Sequence, residues 1–481
     1  MRFLSLIALS FCCFAPAVAD QTRPNVVLIL VDDMGWMDLS CQGSDYFRTP
    51  HIDDLARRGV RFTDAYAACA VCSPTRAAMM TGRWPGRVGV TDWIRARFQR
   101  GNRGVPQANP TEYVGDINSK VLCPPNPYWM KHEEVTIAEA LELAGYKSGY
   151  IGKWHLGDPD WFPTKQGYDE NRGGCDYGHP PSYFDPYNNP NGKHETRRKG
   201  IPGLPGRKKG EYLTHREANE AEALIRKWHA KKQPFFLQVS HYAVHTPIQA
   251  IKEVAAKYHR EDKSAANAKY AAMVESVDDS THQIMTTLKE LGIENNTILI
   301  FTSDNGGLDD NGTPTENAPL RAGKGFPYEG GIRVPFLIRW PGVIPAGKVS
   351  DTPVSSIDIF PTIMEAVGVE FAKERVIDGM SLVDHLKSGG KSSIDRDELL
   401  WHFPHYRGDI RPYSIIRKAD WKLIKFWTGE YELFDLSKDL GEKKNLATDM
   451  PEKVKELDSM LMKRLDSGKA KLPRANPNYV P

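Results

Sequence analysis

The chain has 481 residues, 40% apolar and 26% charged, with 18 Phe, 19 Tyr and 11 Trp; that is enough to bury a large core and excludes intrinsic disorder. Lys and Arg total 63 against 61 Asp and Glu, a net charge of +2, which excludes a global field strong enough to grip nucleic acid or a membrane surface. Seven cysteines are too few for a disulfide scaffold of this length, and an odd number leaves one over.

Residues 1–19 read as a secretory signal. Arg2 supplies the positive start, Phe3 to Phe14 the apolar stretch, and Ala17-Val18-Ala19 the small-residue cleavage site. The apolar run is too short to span a bilayer, and no later stretch is apolar enough. The expectation is an exported, periplasmic or extracellular protein with no stable membrane insertion. Cleavage removes Cys12 and Cys13 and leaves Cys41, Cys69, Cys72, Cys123 and Cys175. The count stays odd.

From Asn25 to about residue 370, strands and helices alternate. Asn25–Val31 is a continuous β-branched run that suits a strand buried on both faces. Thr49-Pro50 opens a helix that Gly59 ends. A helix over Thr136–Ala144 leads to a strand at Lys147–Ile151. A charged amphipathic helix over Tyr212–Lys231 precedes a strand at Phe235–Val239, and a second long helix, Ala265–Leu291, precedes Thr297–Phe301. Val334–Trp340 is a further strand and Ile357–Ala366 a helix. This alternation predicts an α/β fold, a large, mixed but mostly parallel sheet sandwiched by helices. Beyond about residue 375, Trp421–Phe426 and Glu432–Asp435 read as antiparallel strands and Pro451–Leu465 as a closing helix. The expected organisation is a catalytic domain over 20–375 and a C-terminal subdomain over 376–481. Loops at Arg95–Cys123 and Pro180–Gly210 are long and polar, as substrate-facing loops often are.

Unusual polar residues cluster at the carboxyl ends of the predicted strands, where open parallel sheets bind ligands. Asp32-Asp33 follows the first strand, and Gly152-Lys153-Trp154-His155 follows the strand ending at Ile151. His241 and His245-Thr246-Pro247 follow Phe235–Val239, and Ser303-Asp304-Asn305-Gly306 follows Thr297–Phe301. Taken singly, each has a plain reading as a helix cap, tight turn or solvated loop. Their recurrence at four strand ends is the signal. Asp32, Asp33, Asp304 and Asn305 are hard oxygen donors that suit Ca²⁺, whereas no Cys/His spacing supports zinc. With one dication, three carboxylates and the cations Arg76, Lys153 and Lys324, the site would carry about +2, a charge that favours a small tetrahedral oxyanion ester. His241 precedes His245 by four residues but sits in a loop, and packing nearby is its plain reading.

Cys72-Ser73-Pro74-Thr75-Arg76 precedes a short helical stretch, Ala77-Ala78-Met79-Met80, with Pro74 suited to its first turn and Gly82 to its end. Cys72 is thus placed at a helix N-terminus, where it would be a low-pKa thiolate or, in the plain reading, half of a disulfide with Cys69 or another exported thiol. Arg76, four residues on, shares its helix face.

Cys72-Ser73-Pro74-Thr75-Arg76 with Thr81-Gly82 resembles the signature of type I sulfatases, within the alkaline phosphatase superfamily. The opening run Asn25–Gly35, Gly152-Lys153-Trp154-His155-Leu156-Gly157, His245-Thr246-Pro247, Ser303-Asp304-Asn305-Gly306 and Gly323-Lys324-Gly325 resemble the remaining motifs in order. Glu432-Leu433-Phe434-Asp435-Leu436 with Asn445-Leu446 resembles the closing subdomain. Val244 departs from the proline that many relatives have there. The resemblance implies conversion of Cys72 to 3-oxoalanine (formylglycine) by a sulfatase-maturing enzyme. One hydroxyl of the hydrated aldehyde would take the sulfo group; deprotonating the other would expel sulfate. It further implies one Ca²⁺ held by Asp32, Asp33, Cys72, Asp304 and Asn305, with Arg76 steadying the hydrate and Lys153 and Lys324 clamping sulfate oxygens. His155 would be the base for release and His245 the acid toward the leaving alcohol.

That resemblance leads to hydrolysis of sulfate monoesters, on a sulfated carbohydrate and on aryl sulfates. A phosphonate or phosphodiester hydrolase with the same nucleophile is the near alternative, and a non-catalytic sulfoglycan-binding protein the distant one. Two basic stretches, Arg95 with Arg97, Arg100 and Arg103, and Arg197-Arg198-Lys199 with Arg207-Lys208-Lys209, read as solvated loops or as a local polyanion track. Aromatics in Tyr183–Tyr187 and Trp401–Tyr406 are candidates for stacking on sugar rings. With Cys72 assigned to catalysis, Cys41, Cys69, Cys123 and Cys175 form an even set with three possible pairings.

Overall fold

The computed structural model describes residues 23–100, 108–191, 200–370 and 375–480, without the side chains of Phe98 and Arg100. The signal segment, Arg103 and Arg197-Arg198-Lys199 lie outside the described residues. The main sheet is built from β1 (Asn25–Val31), β2 (Val60–Phe62), β3 (Lys147–Gly152), β4 (Glu170–Arg172), β5 (Phe235–Ser240), β6 (Thr297–Ser303), β7 (Phe336–Arg339) and β8 (Lys348–Ser350). Their order across the sheet is β8-β2-β7-β6-β1-β5-β3-β4. Only β7 runs against its neighbours; β6, β1, β5, β3 and β4 are parallel. The sheet is therefore mixed and mostly parallel, as the alternation of elements predicts.

Six of the longer helices frame it: α1 (Pro50–Arg57), α2 (Cys72–Thr81), α3 (Ile137–Glu142), α4 (Leu213–Ala230), α5 (Ala265–Glu290) and α6 (Ile359–Val367); α7 (Pro451–Ser467) belongs to the C-terminal part. Because side chains alternate along a strand, β1 feeds two cores. Val27, Ile29 and Val31 pack with Leu224, Ile225 and Trp228 of α4 and Tyr270, Val274 and Val277 of α5. Val26, Leu28 and Leu30 pack on the other face with Met79 and Met80 of α2, Ile137 and Leu141 of α3, and Phe360 and Ile363 of α6. Both faces of β1 are dry, which explains its unbroken apolar run. Local signals set the helix ends: Thr136 caps α3 and Ser264 caps α5, each through a reciprocal capping box.

The C-terminal part contains four antiparallel strands in consecutive order, β9 (Leu399–Phe403), β10 (Tyr413–Lys418), β11 (Trp421–Phe426) and β12 (Tyr431–Asp435). Leu457, Leu461 and Leu465, one stripe of α7, cover Ile416, Leu423 and Leu433 on one face. The other face, with Trp401, Phe403, Ile415 and Ile424, packs on Tyr66, Val71 and Ile332 of the larger body. This small sheet thus lies directly behind the segment that leads into α2.

Two expectations fail here. Tyr183, Tyr187, Trp401 and Phe403 are buried, so these aromatics are core rather than sugar platforms; Trp401 even donates its indole N–H to Ala67 O at 2.7 Å. The four cysteines offered as a disulfide set are all free, as is Cys72. Cys69, Cys123 and Cys175 are held in separate buried settings, and burial pushes their thiols up to about 12, 11 and 12 respectively.

Candidate active site

The strands that end in polar residues, β6, β1, β5 and β3, are adjacent in the sheet. Their carboxyl ends therefore deliver Asp304-Asn305, Asp32-Asp33, the His245 loop and Lys153-His155 side by side. Helix α2 brings Cys72 to the same edge. Val71 is extended before it and Gly82 ends it at φ 65°, a left-handed cap. Every residue of α2 is buried, so each polar side chain in it needs a partner. Thr75 Oγ1 donates to Cys69 O (2.9 Å) and accepts from Cys69 N–H (3.0 Å), fixing the approach to the helix. Ser73 Oγ donates to His155 O (2.9 Å) and accepts from Ile94 N–H (2.9 Å), tying α2 to the His155 loop.

Arg76 donates from Nε to Asp304 Oδ2 (2.8 Å) and from Nη1 to Lys153 O (2.6 Å). Lys153 Nζ lies on both oxygens of Asp32, at 2.8 and 2.6 Å. Lys324 Nζ meets Asp33 at 2.7 Å. Three buried cations are thus matched one to one by three buried carboxylates. Burial would push Arg76 and Lys324 down, but Asp304 and Asp32 around the first and Asp33 beside the second hold both firmly protonated. Burial pushes Asp32 well above the usual carboxylate range against the pull of Lys153. At Asp33 burial is outweighed chiefly by Lys324, through its charge and its hydrogen bond, and the carboxyl lies below that range.

The donor set fits a hard dication. Oxygen or sulfur atoms of Asp32, Cys72 and Asp304 lie within 4.8 Å of one another, and atoms of Asp32, Asp33 and His245 form a second such group. Asn305 donates its amide to Asp33 Oδ1 (2.8 Å) and Gly306 O (2.9 Å). That orientation leaves Asn305 Oδ1 buried with no hydrogen-bond partner, a free acceptor where a cation would supply the missing interaction. Asp33 and His155 sit at φ 62° and 61°, a region costly for non-glycine residues and enriched at functional sites.

His155 donates from Nε2 to Ile94 O at 2.8 Å, since a carbonyl only accepts. Its Nδ1 is buried and unpartnered. Burial, with Lys153 and Arg76 nearby, holds the ring well below its ordinary pKa, so it is neutral and its Nδ1 lone pair is free. His245 directs Nδ1–H to Thr246 O (3.0 Å) and Nε2 toward Asp33 Oδ2 at 3.6 Å; burial and Lys324 keep it neutral as well. Cys72 corrects the thiolate expectation. Burial raises its pKa above the ordinary thiol value despite Lys153 and Lys324, so the helix N-terminus does not yield an ionised sulfur.

His241 is not part of the site. It is buried behind the sheet edge, with Nδ1 on Glu217 of α4 (2.7 Å) and Nε2 on Ser280 of α5 (3.0 Å). Cys72, His155, His245 and Lys324 line a cleft of about 280 Å3 together with Trp93, Gln99, His179 and Arg407. Sequence patterns do not single out those last four, which come from three separate stretches, around residues 93–99, at 179 and at 407. Of the basic residues read as a polyanion track, Arg97 pairs with Asp176 and Arg207 with Glu211, whereas Lys208 and Lys209 are exposed beside Phe184 and Tyr212 in a separate groove.

Comparisons with known proteins give the family. The family model described as Sulfatase matches residues 24–369. The chain belongs to the sulfatase family. A second model, N-sulphoglucosamine sulphohydrolase, C-terminal, matches residues 322–471. The sulfatase is 33% identical over 467 residues to the N-acetylgalactosamine-6-sulfatase of Mus musculus, covering 92% of this chain and 79% of that one. It is 30% identical over 525 residues to a sulfatase of Formosa agariphila, covering 94% and 90%. Among solved structures, Ps i-CgsB in complex with k-i-k-neocarrahexaose matches with a TM-score of 0.77 and 31% identity, over 92% of this chain and 93% of that one. The protein is an enzyme that hydrolyses sulfate esters. No helix among the described residues is long and apolar enough to cross a membrane.

The loop after β6 must also fit closely. A Cβ on Gly306 would lie 1.8 Å from Gly330 O, and backbone cannot give way as a side chain can. Gly306→Ala is expected to cost about 1–3 kcal/mol of stability and to lower turnover through the displaced Asp304-Asn305. Thermal denaturation and aryl sulfate kinetics would show both losses together.

Proposed function

We propose that the sulfatase hydrolyses sulfate monoesters on a carbohydrate, using Cys72 converted to formylglycine and one Ca²⁺ bound by Asp32, Asp33, Asp304, Asn305 and residue 72. The observation that carries the reading is the placement of Cys72. It is buried at the head of α2, its thiol is kept protonated, and it lines the cleft shared by His155, His245 and Lys324. A protonated, buried thiol is a poor nucleophile; a formylglycine hydrate would supply two hydroxyls on one carbon, one for attack and one for release.

The chain's own residues account for the rest. Arg76, anchored on Asp304, holds the head of α2 against the acids. Lys153 and Lys324, already paired with carboxylates, offer their ammonium groups to sulfate oxygens. His155 takes a proton at Nδ1, its other nitrogen being committed to Ile94 O. An anionic sulfate in the cleft raises the proton affinity of His245, which then delivers a proton from Nε2 to the leaving alcohol. Bound calcium would neutralise charge developing on the sulfate oxygens.

The carbohydrate reading is supported by the names of the relatives, one an N-acetylgalactosamine-6-sulfatase and one a structure holding a neocarrahexaose. A cleft of about 280 Å3 suits a single sulfated ring. We further propose export through residues 1–19, a catalytic body over 20–375 and a closing unit over 376–481.

Mass spectrometry of the Cys72 peptide, after expression with a sulfatase-maturing enzyme, tests the nucleophile directly: an aldehyde is expected, and an intact thiol in active enzyme would overturn the reading. Side-by-side rates on matched sulfate and phosphate esters separate it from a phosphohydrolase. Exhaustive chelation is expected to remove activity; Ca²⁺ should restore it better than Mg²⁺, because Mg²⁺ demands near-ideal octahedral ligation and keeps several waters, whereas Ca²⁺ accepts a loose set of protein oxygens.

A further inference from the structure

Arg407 stands apart from the other cations of the cleft. Arg76, Lys153 and Lys324 each face a carboxylate at 2.8 Å or less. Arg407 also lines the cleft, and its single hydrogen bond from the side chain among the described residues runs from Nη1 to Lys324 O at 3.2 Å. No described carboxylate lies within 4.0 Å of it. Asp92 feels Arg407 from a distance, but it is buried, accepts the Trp93 N–H at 2.8 Å, and burial pushes its carboxyl up to about 6.

The side chain is nonetheless placed, not loose. Arg407 and Ile410 exchange backbone hydrogen bonds of 3.0 Å across a tight turn between β9 and β10. The guanidinium packs against Gly325, where a Cβ would come within 2.0 Å of Nη1. Trp93, which lines the same cleft, carries the Arg95 guanidinium 4.9 Å from its ring centre.

We propose that Arg407 binds a second anionic group, a sulfate or carboxylate, on the sugar whose sulfate ester is cleaved. The proposal rests on the carbohydrate reading above. An unmatched guanidinium holds a planar or tetrahedral oxyanion through a two-pronged hydrogen bond that lysine cannot reproduce. Arg76, Lys153 and Lys324 each face a carboxylate, whereas Arg407 lines the same cleft with its charge uncommitted. A neutral aryl leaving group makes no use of it.

The test compares wild type, Arg407→Ala and Arg407→Lys on 4-nitrophenyl sulfate, a monosulfated neutral monosaccharide, the same sugar with a second sulfate, and the corresponding monosulfated uronic acid. For Arg407→Ala, KM is expected to rise about 10–100-fold on whichever dianionic sugar is recognised, the scale of a lost hydrogen bond between charged groups. The loss on the aryl and monosulfated esters should be far smaller, and Arg407→Lys should recover part of the KM. The two dianionic arms identify the anion. Equal losses on aryl sulfate would mean that Arg407 only props up Lys324, and indifference of Arg407→Ala on both dianionic sugars would equally overturn the proposal. Wild type that cleaves aryl sulfate but none of the sugars would sink the carbohydrate reading itself.

Discussion

Cys72→Ala is expected to lower sulfate ester hydrolysis by roughly 10⁴–10⁶-fold, the scale seen when a covalent nucleophile or its base is removed. The substitution deletes one sulfur atom at the head of a helix whose other polar anchors, Ser73, Thr75 and Arg76, remain bonded. The fold should therefore survive, with a loss of about 1 kcal/mol. His155→Ala should cost less, roughly 10²–10⁴-fold, because Nδ1 moves a proton but forms no bond to sulfur. Single-turnover rates and a thermal melt separate chemistry from folding. A Cys72→Ala enzyme retaining a tenth of wild-type activity would refute the assignment of the nucleophile.

Lys422→Met should produce the largest loss of stability, about 3–5 kcal/mol. Lys422 Nζ sits between Glu329 Oε1 at 2.9 Å and Glu442 Oε1 at 2.8 Å, and all three side chains are shut off from solvent. Removing the ammonium strands two carboxylates in a dry interface between the small sheet and the larger body. Even with Lys422 in place, burial pushes Glu442 up to about 7, whereas at Glu329 burial is outweighed by Lys422 and Arg333 and the carboxyl falls to about 2. The sign follows from Glu442. A folded-state pKa above the unfolded one stabilises at low pH, and that contribution is lost as pH rises through about 7. The destabilisation by Lys422→Met should thus be larger at pH 8 than at pH 5, because without the ammonium the carboxylates fold more readily with a proton. Denaturant titrations at the two pH values would show it; a pH-independent loss would point to packing alone. Activity should fall too. Glu329 heads the short turn whose Gly331 O accepts the Gly306 N–H at 3.0 Å, next to Asp304 and Asn305.

Much of this molecule is legible in its sequence. The unbroken run Asn25–Val31 suits a strand buried on both faces, and two cores do flank it. Pro74 and Gly82 bracket α2 through the fixed φ of proline and the left-handed freedom of glycine, both local properties. Asp32, Asp33, Asp304, Asn305, Lys153, His155 and His245 were legible because each lies within five residues of a strand's carboxyl end. Misreadings arose where burial, not residue type, decides. Tyr183, Tyr187, Trp401 and Phe403 look like sugar platforms in a list of aromatics, yet their partners are distant in sequence and enclose them. The cysteine arithmetic suggested pairs, but pairing depends on distances between elements that no spacing encodes.

By itself, then, the sequence determined the alternation of strand and helix, the ends of α2, and the chemical types that collect at strand ends. Hydrogen bonding and side-chain periodicity are local, and they leave a local trace. Only the tertiary structure decided that β6, β1, β5 and β3 are neighbours, so that four separate loops make one site. It alone matched Lys153 to Asp32, Lys324 to Asp33 and Arg76 to Asp304, and left Arg407 unmatched. Charge balance in a buried site is a property of distances of a few ångströms between segments up to hundreds of residues apart, and composition, here nearly neutral overall, averages that away.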